Sequence, residues 1–525
     1  MRKTLLTLSV AGVLSSLALG QATQPSAPYD VLIRNGRVMD GTGNPWLRAD
    51  IGVRGGRIEA MGRLGDARAT TIIDAADRLV TPGFIDVHSH AAEGLRRQDL
   101  RQGQPLLAQG ITTILANPDG GGPVDLAAQR AELEKSGIGV NVGLLIGHGA
   151  VRRAVVGGDN RAPTPDELER MKDLVRRGMK EGAFGLSSGL FYTPGSYAKT
   201  EEVIALAAAA GESGGLYTSH VRDEGNYEEG VVASVLEVIR IAEEGKVIGI
   251  FSHAKALGPD SWGLSMALMR RIEDARARGV QVFADQYPYE ASSTNLRAAL
   301  LPLGVAVPKP EDAATPPGQA APDAPIAVLR ENMRRRGGPA AIQIAHFKAE
   351  PALEGKNLAE IARARGVSPE AAAIDILSRG GASIVSFNMS EEDIEHIMRQ
   401  PFTMTSSDGG LVAMTEGKPH PRNYGAFARK LARYTRERGT VGIEFAIRSM
   451  TSLPASVFGM SDRGVLRPGA AADIAIFDPA LVRDRATYTD PHQLAEGMAW
   501  VLVNGTAVVQ DGRFTAAMPG RVLRK

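Results

Sequence analysis

His88 and His90 stand one residue apart at the end of TPGFIDVHSH (81–90), directly after a Val/Ile/Phe run. Imidazole is a nitrogen ligand for borderline divalent cations and a proton carrier near neutral pH. If the run is a β-strand that continues through both histidines, their side chains share one face. Residues of similar type end other apolar runs. His220 lies in LYTSHV, His253 in VIGIFSHA and Asp408 in FTMTSSDG, while Pro118 and Asp119 follow Asn117 of ITTILAN. Taken singly, a strand histidine is more often a hydrogen-bonded structural residue, and an Asp before Gly a turn residue. Taken together, four of the nine histidines and two carboxylates make a nitrogen/oxygen ligand set suited to Zn²⁺, with a carboxylate base beside it for hydrolysis.

Those residues need elements that bring them to one place. Eight apolar runs recur: 84–90, 111–117, 141–148, 183–189, 216–221, 247–254, 280–288 and 402–409. Helical patterns such as PDELERMKDLVRRGMKEG and ALMRRIEDARARG alternate with them. Continuous apolar strands between helices predict a parallel sheet buried on both faces. Eight such units predict an α/β fold of the (β/α)₈ barrel type, TIM-like, with the active site at the C-terminal ends of the strands. The barrel would span 81–463. Before its last unit comes an insertion around 295–400, holding the runs IQIAH and SIVSF and a Pro/Ala-rich stretch (306–325) that reads as a mobile surface loop. Residues 29–80 and 464–525 are β-rich, with Asn-Gly, Gly-Gly and Asp-Gly pairs that read as hairpin turns. The two ends are expected to form one small β-sandwich.

Residues 1–20, MRKTLLTLSVAGVLSSLALG, have the basic start, short apolar run and small residues of a secretory signal peptide. A Pro/Ser/Gln linker, 21–28, follows. The expectation is an exported, periplasmic or secreted protein. The absence of cysteine excludes disulfides, thiolate ligands and a cysteine nucleophile. With 60 basic and 59 acidic residues the formal net charge is +1, so nothing electrostatic points to nucleic acid or an anionic membrane. The partner expected is a small molecule.

The stretches GFIDVHSH, TSHVRDEG, FSHAKALG and SSDGG, in that order, resemble the amidohydrolase superfamily of metal-dependent hydrolases. GLSSGLFYTPGSYA, ADQYPYEASST, GKPHPRNYGAFARKL and LRPGAAADIAIFDP narrow the resemblance to the N-acyl-D-amino-acid deacylases, or D-aminoacylases. The resemblance implies a metal-dependent hydrolase of the barrel-plus-sandwich type that cleaves a linear amide of an N-acyl-D-amino acid, with one or two zinc ions. By motif position it implies that His220 and His253 hold the tighter zinc and that His88 and His90 form a second, weaker position. Asp408 would be the general acid/base. Lys255 would face the substrate carboxylate, with Tyr287, Ser293 and Arg422 as further pocket residues. One departure stands out: where the family carries a metal-binding Cys after the second strand, this chain has Asp119, the candidate bridging ligand. Loss of the soft ligand also admits Mn²⁺, Fe²⁺ or Co²⁺. Alternatives on the same site are a cyclic amidase, a D-residue dipeptidase or an exported binding protein without turnover. His148 reads as structural or as a supporting residue.

Overall fold

The computed structural model describes residues 28–301, 304–316 and 318–525. The signal-peptide reading and nearly all of the linker lie outside the described residues.

Strands from the two ends of the chain pair in one nine-stranded sheet. Leu79–Pro82 runs antiparallel to Ile474–Phe477, and this contact joins the N-terminal strands to the C-terminal ones. Ile33, Ile51, Val53, Ile474, Ile476 and Leu502 are buried in a core of their own on this sheet. Three of the turn pairs act as expected: Gly55-Gly56, Asn504-Gly505 and Asp511-Gly512 each link two antiparallel strands. Asn35-Gly36 does not. It lies inside the strand Tyr29–Val38, where the register shifts and Asn35 adopts φ 58°. The pair makes a bulge there, and Gly36 is required because a Cβ would meet Val80 Cγ2 at 2.5 Å.

The eight central runs form parallel strands: β1 (Phe84–Asp86), β2 (Ile111–Ala116), β3 (Asn141–Leu144, continued by Ile146–Gly147), β4 (Gly185–Gly189), β5 (Leu216–His220), β6 (Gly249–Phe251), β7 (Val282–Gln286) and β8 (Thr403–Thr405). Each pairs with the next in parallel register. The seam between β8 and β1 is closed by short links: Asp408 N donates to His88 O at 2.9 Å and His90 N to Gly409 O at 2.8 Å. Buried Asp86 reinforces it, accepting from Ser407 N at 2.8 Å. Because β1 ends at Asp86, His88 and His90 lie beyond the strand on the segment that forms this seam. The same-face argument from strand pleating therefore does not apply to them.

The barrel helices carry their own signals. Pro165–Lys180 begins with a capping box between Thr164 and Glu167, with Pro at its first position.

The insertion is a separately packed unit. Its three-stranded antiparallel sheet orders Ala291–Asn295, Ser383–Phe387 and Ile342–His346, and so begins slightly ahead of residue 295. Leu296, Leu329, Ile344, Ile361 and Ile384 form its buried core. The described part of the Pro/Ala stretch is tethered, since Arg330 donates to Thr315 O at 2.6 Å.

Candidate metal centre

The side chains at the C-terminal ends of the barrel strands converge. Asp119 Oδ1 lies 3.2 Å from His88 Nε2, 3.6 Å from His253 Nε2 and 3.8 Å from His220 Nδ1, and Asp119 Oδ2 is 3.4 Å from His90 Nε2. One carboxylate thus meets all four imidazoles. Asp408 Oδ1 is 3.2 Å from His90 Nε2 and 3.6 Å from His88 Nε2. Two ligand groups result, His88–His90–Asp119–Asp408 and Asp119–His220–His253, with Asp119 in both.

The backbone is bent to make this possible. Asp119 (φ 55°), His253 (φ 36°) and Asp408 (φ 49°) all adopt left-handed conformations, uncommon outside glycine. Each is braced by neighbours. Gly120 N donates to Ser187 Oγ on β4, next to Asp119. His253 N donates to Asp285 Oδ1 on β7 at 2.9 Å. Strain held by surrounding structure at converging side chains marks a functional site.

The site tests well against a cation. The imidazoles of His220 and His253 face each other with Nδ1 and Nε2 2.8 Å apart. His88 Nε2, His220 Nε2 and Asp119 Oδ1 are buried without a hydrogen-bond partner. Buried polar atoms are normally satisfied, so this concentration of orphans calls for a group they can share. An all-nitrogen/oxygen set with a carboxylate in both groups fits zinc or another borderline divalent ion. The charges are arranged accordingly. Although burial opposes it, the surrounding histidines, His88 first, hold the Asp119 carboxyl well below the usual range, and Arg422 does the same for Asp408. Burial pushes His220 down to about 4, leaving its ring neutral and able to ligate at neutral pH. Burial and Lys255 also press His253 downward, but Glu224 and Asp408 outweigh them and raise it to about 10, and burial of His90 is outweighed by Asp119 and Asp408, which raise it to about 9; a cation bound here must displace protons from both rings.

A cavity of about 450 Å³ opens over these groups. His90, Asp119, His220, His253 and Asp408 line it, as do Lys255, Tyr287, Ser293 and Arg422; His88 sits buried beneath. The pocket residues are engaged in ways their spacing did not suggest. Lys255 pairs with Glu224, and its Nζ is 2.6 Å from His253 Nδ1. It is therefore a neutralised ammonium, not a free cation, and it reaches the cavity from beyond the end of β6. Arg422 Nη1 donates to Asp408 Oδ2 at 2.6 Å, and its guanidinium stacks 4.7 Å over Tyr287. Ser293 Oγ donates to Ile384 O at 3.0 Å across the insertion sheet. His148 is buried away from the cavity, 3.0 Å from Glu202.

Three side chains that line the cavity went unread in the sequence. Glu224, within TSHVRDEG, lies 2.9 Å from His253 Nδ1 and supports a candidate ligand from behind. Tyr192, within GLFYTPG, packs 4.7 Å from the His220 ring and lies 3.2 Å from Thr294 Oγ1 of the insertion. Both belong to motifs whose polar residues follow a strand end, the available signal. Arg336 lines the cavity from the insertion and carries no such signal.

Comparison with known proteins agrees with this geometry. The model of the amidohydrolase family matches residues 71–509. A D-aminoacylase of Alcaligenes xylosoxydans xylosoxydans is 36% identical over 524 residues, covering 95% of this chain and 98% of that protein. An N-acyl-D-glutamate deacylase of the same organism is 34% identical over 518 residues, covering 94% and 96%. The crystal structure of N-acyl-D-glutamate deacylase from Bordetella bronchiseptica, complexed with zinc and a phosphonate mimic of the tetrahedral intermediate, superposes with a TM-score of 0.81 at 36% identity, covering 95% of this chain and all of that one. A barrel whose strand ends gather four histidines around one aspartate, matched along nearly its whole length by these proteins, places the chain in the amidohydrolase family, among the D-aminoacylases.

Proposed function

We infer that this protein hydrolyses the amide bond of N-acyl-D-amino acids, yielding a carboxylate and a free D-amino acid. The observation that carries the reading is Asp119, whose carboxylate meets four imidazoles while Asp408 stands beside two of them. The similar proteins named above are deacylases of D-amino acids, which supports the substrate class. His88, His90, Asp119, His220 and His253 would hold zinc or another divalent ion, which when bound would supply Lewis acidity at the acyl carbonyl. Asp408 takes the proton of the attacking water and returns it to the amide nitrogen as the C–N bond breaks. Arg422, bonded to Asp408 Oδ2, keeps that carboxylate ionised and ready to accept. Arg422, Lys255, Tyr287 and Ser293 all line the cavity, and this reading assigns the α-carboxylate to them. Fixing that carboxylate beside Asp408 orients the amide and favours one hand at the α-carbon.

The test uses mature protein stripped of metal and titrated with Zn²⁺, following amine release from N-acetyl-D- and N-acetyl-L-amino acids. Zinc-restored release from the D series alone is expected. Metal bound at the site with no release from either series overturns the reading. Export is inferred from residues 1–20 alone, and it predicts that protein recovered outside the cytoplasm begins at Gln21.

A further inference from the structure

The cavity is lined by three cationic side chains, and they are not equivalent. Lys255 is neutralised by Glu224 and Arg422 by Asp408. Arg336 has no carboxylate within ion-pair distance among the described residues, although it is only 2% exposed. Its neighbours in NMRRRGG show the contrast. Arg334 pairs with Asp260 at 2.7 Å and Arg335 with Glu331 at 3.1 Å, both towards solvent. Arg336 ends the helix Pro325–Arg335 and turns inward, where Gly337 (φ 94°) and Gly338 (φ 89°) reverse the chain.

Inside, Arg336 is held by neutral groups. Nε donates to Ala299 O at 3.4 Å and Nη1 to Ser386 Oγ at 3.3 Å, and the guanidinium lies 5.6 Å from the centroid of the Tyr227 ring. These contacts orient the fork without cancelling its charge. The side chain lines the cavity, as Ser292 does. A buried guanidinium without a counter-charge is costly. A planar, pre-oriented fork facing a ligand cavity is the group best matched to a carboxylate.

We propose that Arg336 receives a second carboxylate of the substrate, one remote from the scissile amide, and so makes this a deacylase selective for dianionic N-acyl-D-amino acids. The proposal rests on the deacylase reading above. Arg336 touches none of the candidate metal ligands among the described residues, whereas Arg422 touches Asp408; the α-carboxylate therefore belongs at Arg422 and the second anion at Arg336. It also gives the insertion a role, since Arg336, Ser386 and Ala299 all come from it.

Two sources of that carboxylate are separable. N-acetyl-D-glutamate and N-acetyl-D-aspartate carry it on the side chain; N-succinyl-D-alanine carries it on the acyl group. The neutral matches are N-acetyl-D-glutamine, N-acetyl-D-asparagine and N-butyryl-D-alanine. The wild-type enzyme is expected to favour the dianion in one of these pairings by about 100-fold in kcat/KM. Arg336→Met should collapse that ratio to within about threefold, and Arg336→Lys should retain part of it. Binding of N-acetyl-D-glutamate, N-succinyl-D-alanine and their neutral partners, read by calorimetry on Asp408→Asn with Arg336 intact, separates affinity from turnover and does not depend on the folding of the Arg336 variants. Hydrolysis of neutral N-acyl-D-amino acids with no dianion preference in rate or binding overturns the role of Arg336 and leaves the deacylase reading standing. Selective dianion binding without any hydrolysis does the reverse.

Discussion

At the scale of single residues, the centre depends on side chains that share charge. Asp408 is bonded by Arg422 and faced by His90, so its proton capacity is set by contacts on both oxygens. Asp408→Asn keeps the shape and tolerates the left-handed backbone, because Asn is one of the few residues that do. The expected outcome is a fall in kcat of about 1,000-fold with folding intact and the metal of the Asp119–His220–His253 group retained by elemental analysis. Retained turnover would remove Asp408 from the proton-transfer role. Glu224 and Arg336 show why charges cannot be assigned from spacing. Whether a lysine or arginine offers its charge to a ligand depends on the carboxylate beside it, and that partner lies in another element.

At the scale of elements, close backbone approach and burial decide what the strand ends can hold. Gly189 closes β4 directly beneath Asp119, and a Cβ there would lie 2.3 Å from Asp119 O. Gly189→Ala must displace the Asp119 loop, since a backbone oxygen cannot rotate away. The predicted result is a loss of metal affinity of about 10-fold or more by titration, with destabilisation of about 1–3 kcal/mol in denaturant. On the other side of the barrel Lys430 is buried against β8, donating to Thr405 Oγ1 and Ser449 Oγ, each at 2.8 Å. Burial, with no counter-ion among the described residues, pushes its ammonium down to about 7 from 10.5. Between those pH values the unfolded chain binds the proton that the folded one releases, so this group makes stability rise as pH rises from about 7 towards 10. Lys430→Met should remove that slope and stabilise the fold near pH 7 by about 1–3 kcal/mol, as read from urea melts across pH. A steeper slope in the variant would contradict the assignment.

At the scale of the whole molecule, the ends of the chain brace the barrel. The final residues run beside β3: Val142 N donates to Arg521 O at 2.9 Å and Leu523 N to Val142 O at 2.8 Å. Arg130 Nη1 donates to Val522 O at 3.2 Å. Deleting residues 521–525 leaves these groups unpaired beneath the barrel. Stability should fall by about 2–4 kcal/mol, seen as a lower melting temperature, with kcat at low temperature little changed because the tail lies at the opposite end from the metal centre. A tail deletion that abolished turnover without lowering the melting temperature would contradict this division. The insertion plays the complementary part at the other end, closing over the strand ends and supplying Ser293 and Arg336 to the cavity.

The amino-acid order alone determined the strand count, the alternation with helices and the identity of the converging residues, because burial on both faces and helical periodicity are local patterns and the strand-end rule then places their last residues together. The role of Asp119 as a shared ligand came from the resemblance, in which it stands where the family carries a metal-binding Cys. Three things were decided only by tertiary closure. The histidines of β1 left the strand because the β8–β1 seam, formed by residues over 300 positions apart, captured their backbone. Asn35-Gly36 became a bulge because its strand continues against a partner that no local turn signal reveals. Which cations stay free was set by carboxylates from other strands and from the insertion. Distances between residues far apart in the chain follow from how the sheet closes and what packs over it, and no period in the sequence encodes them.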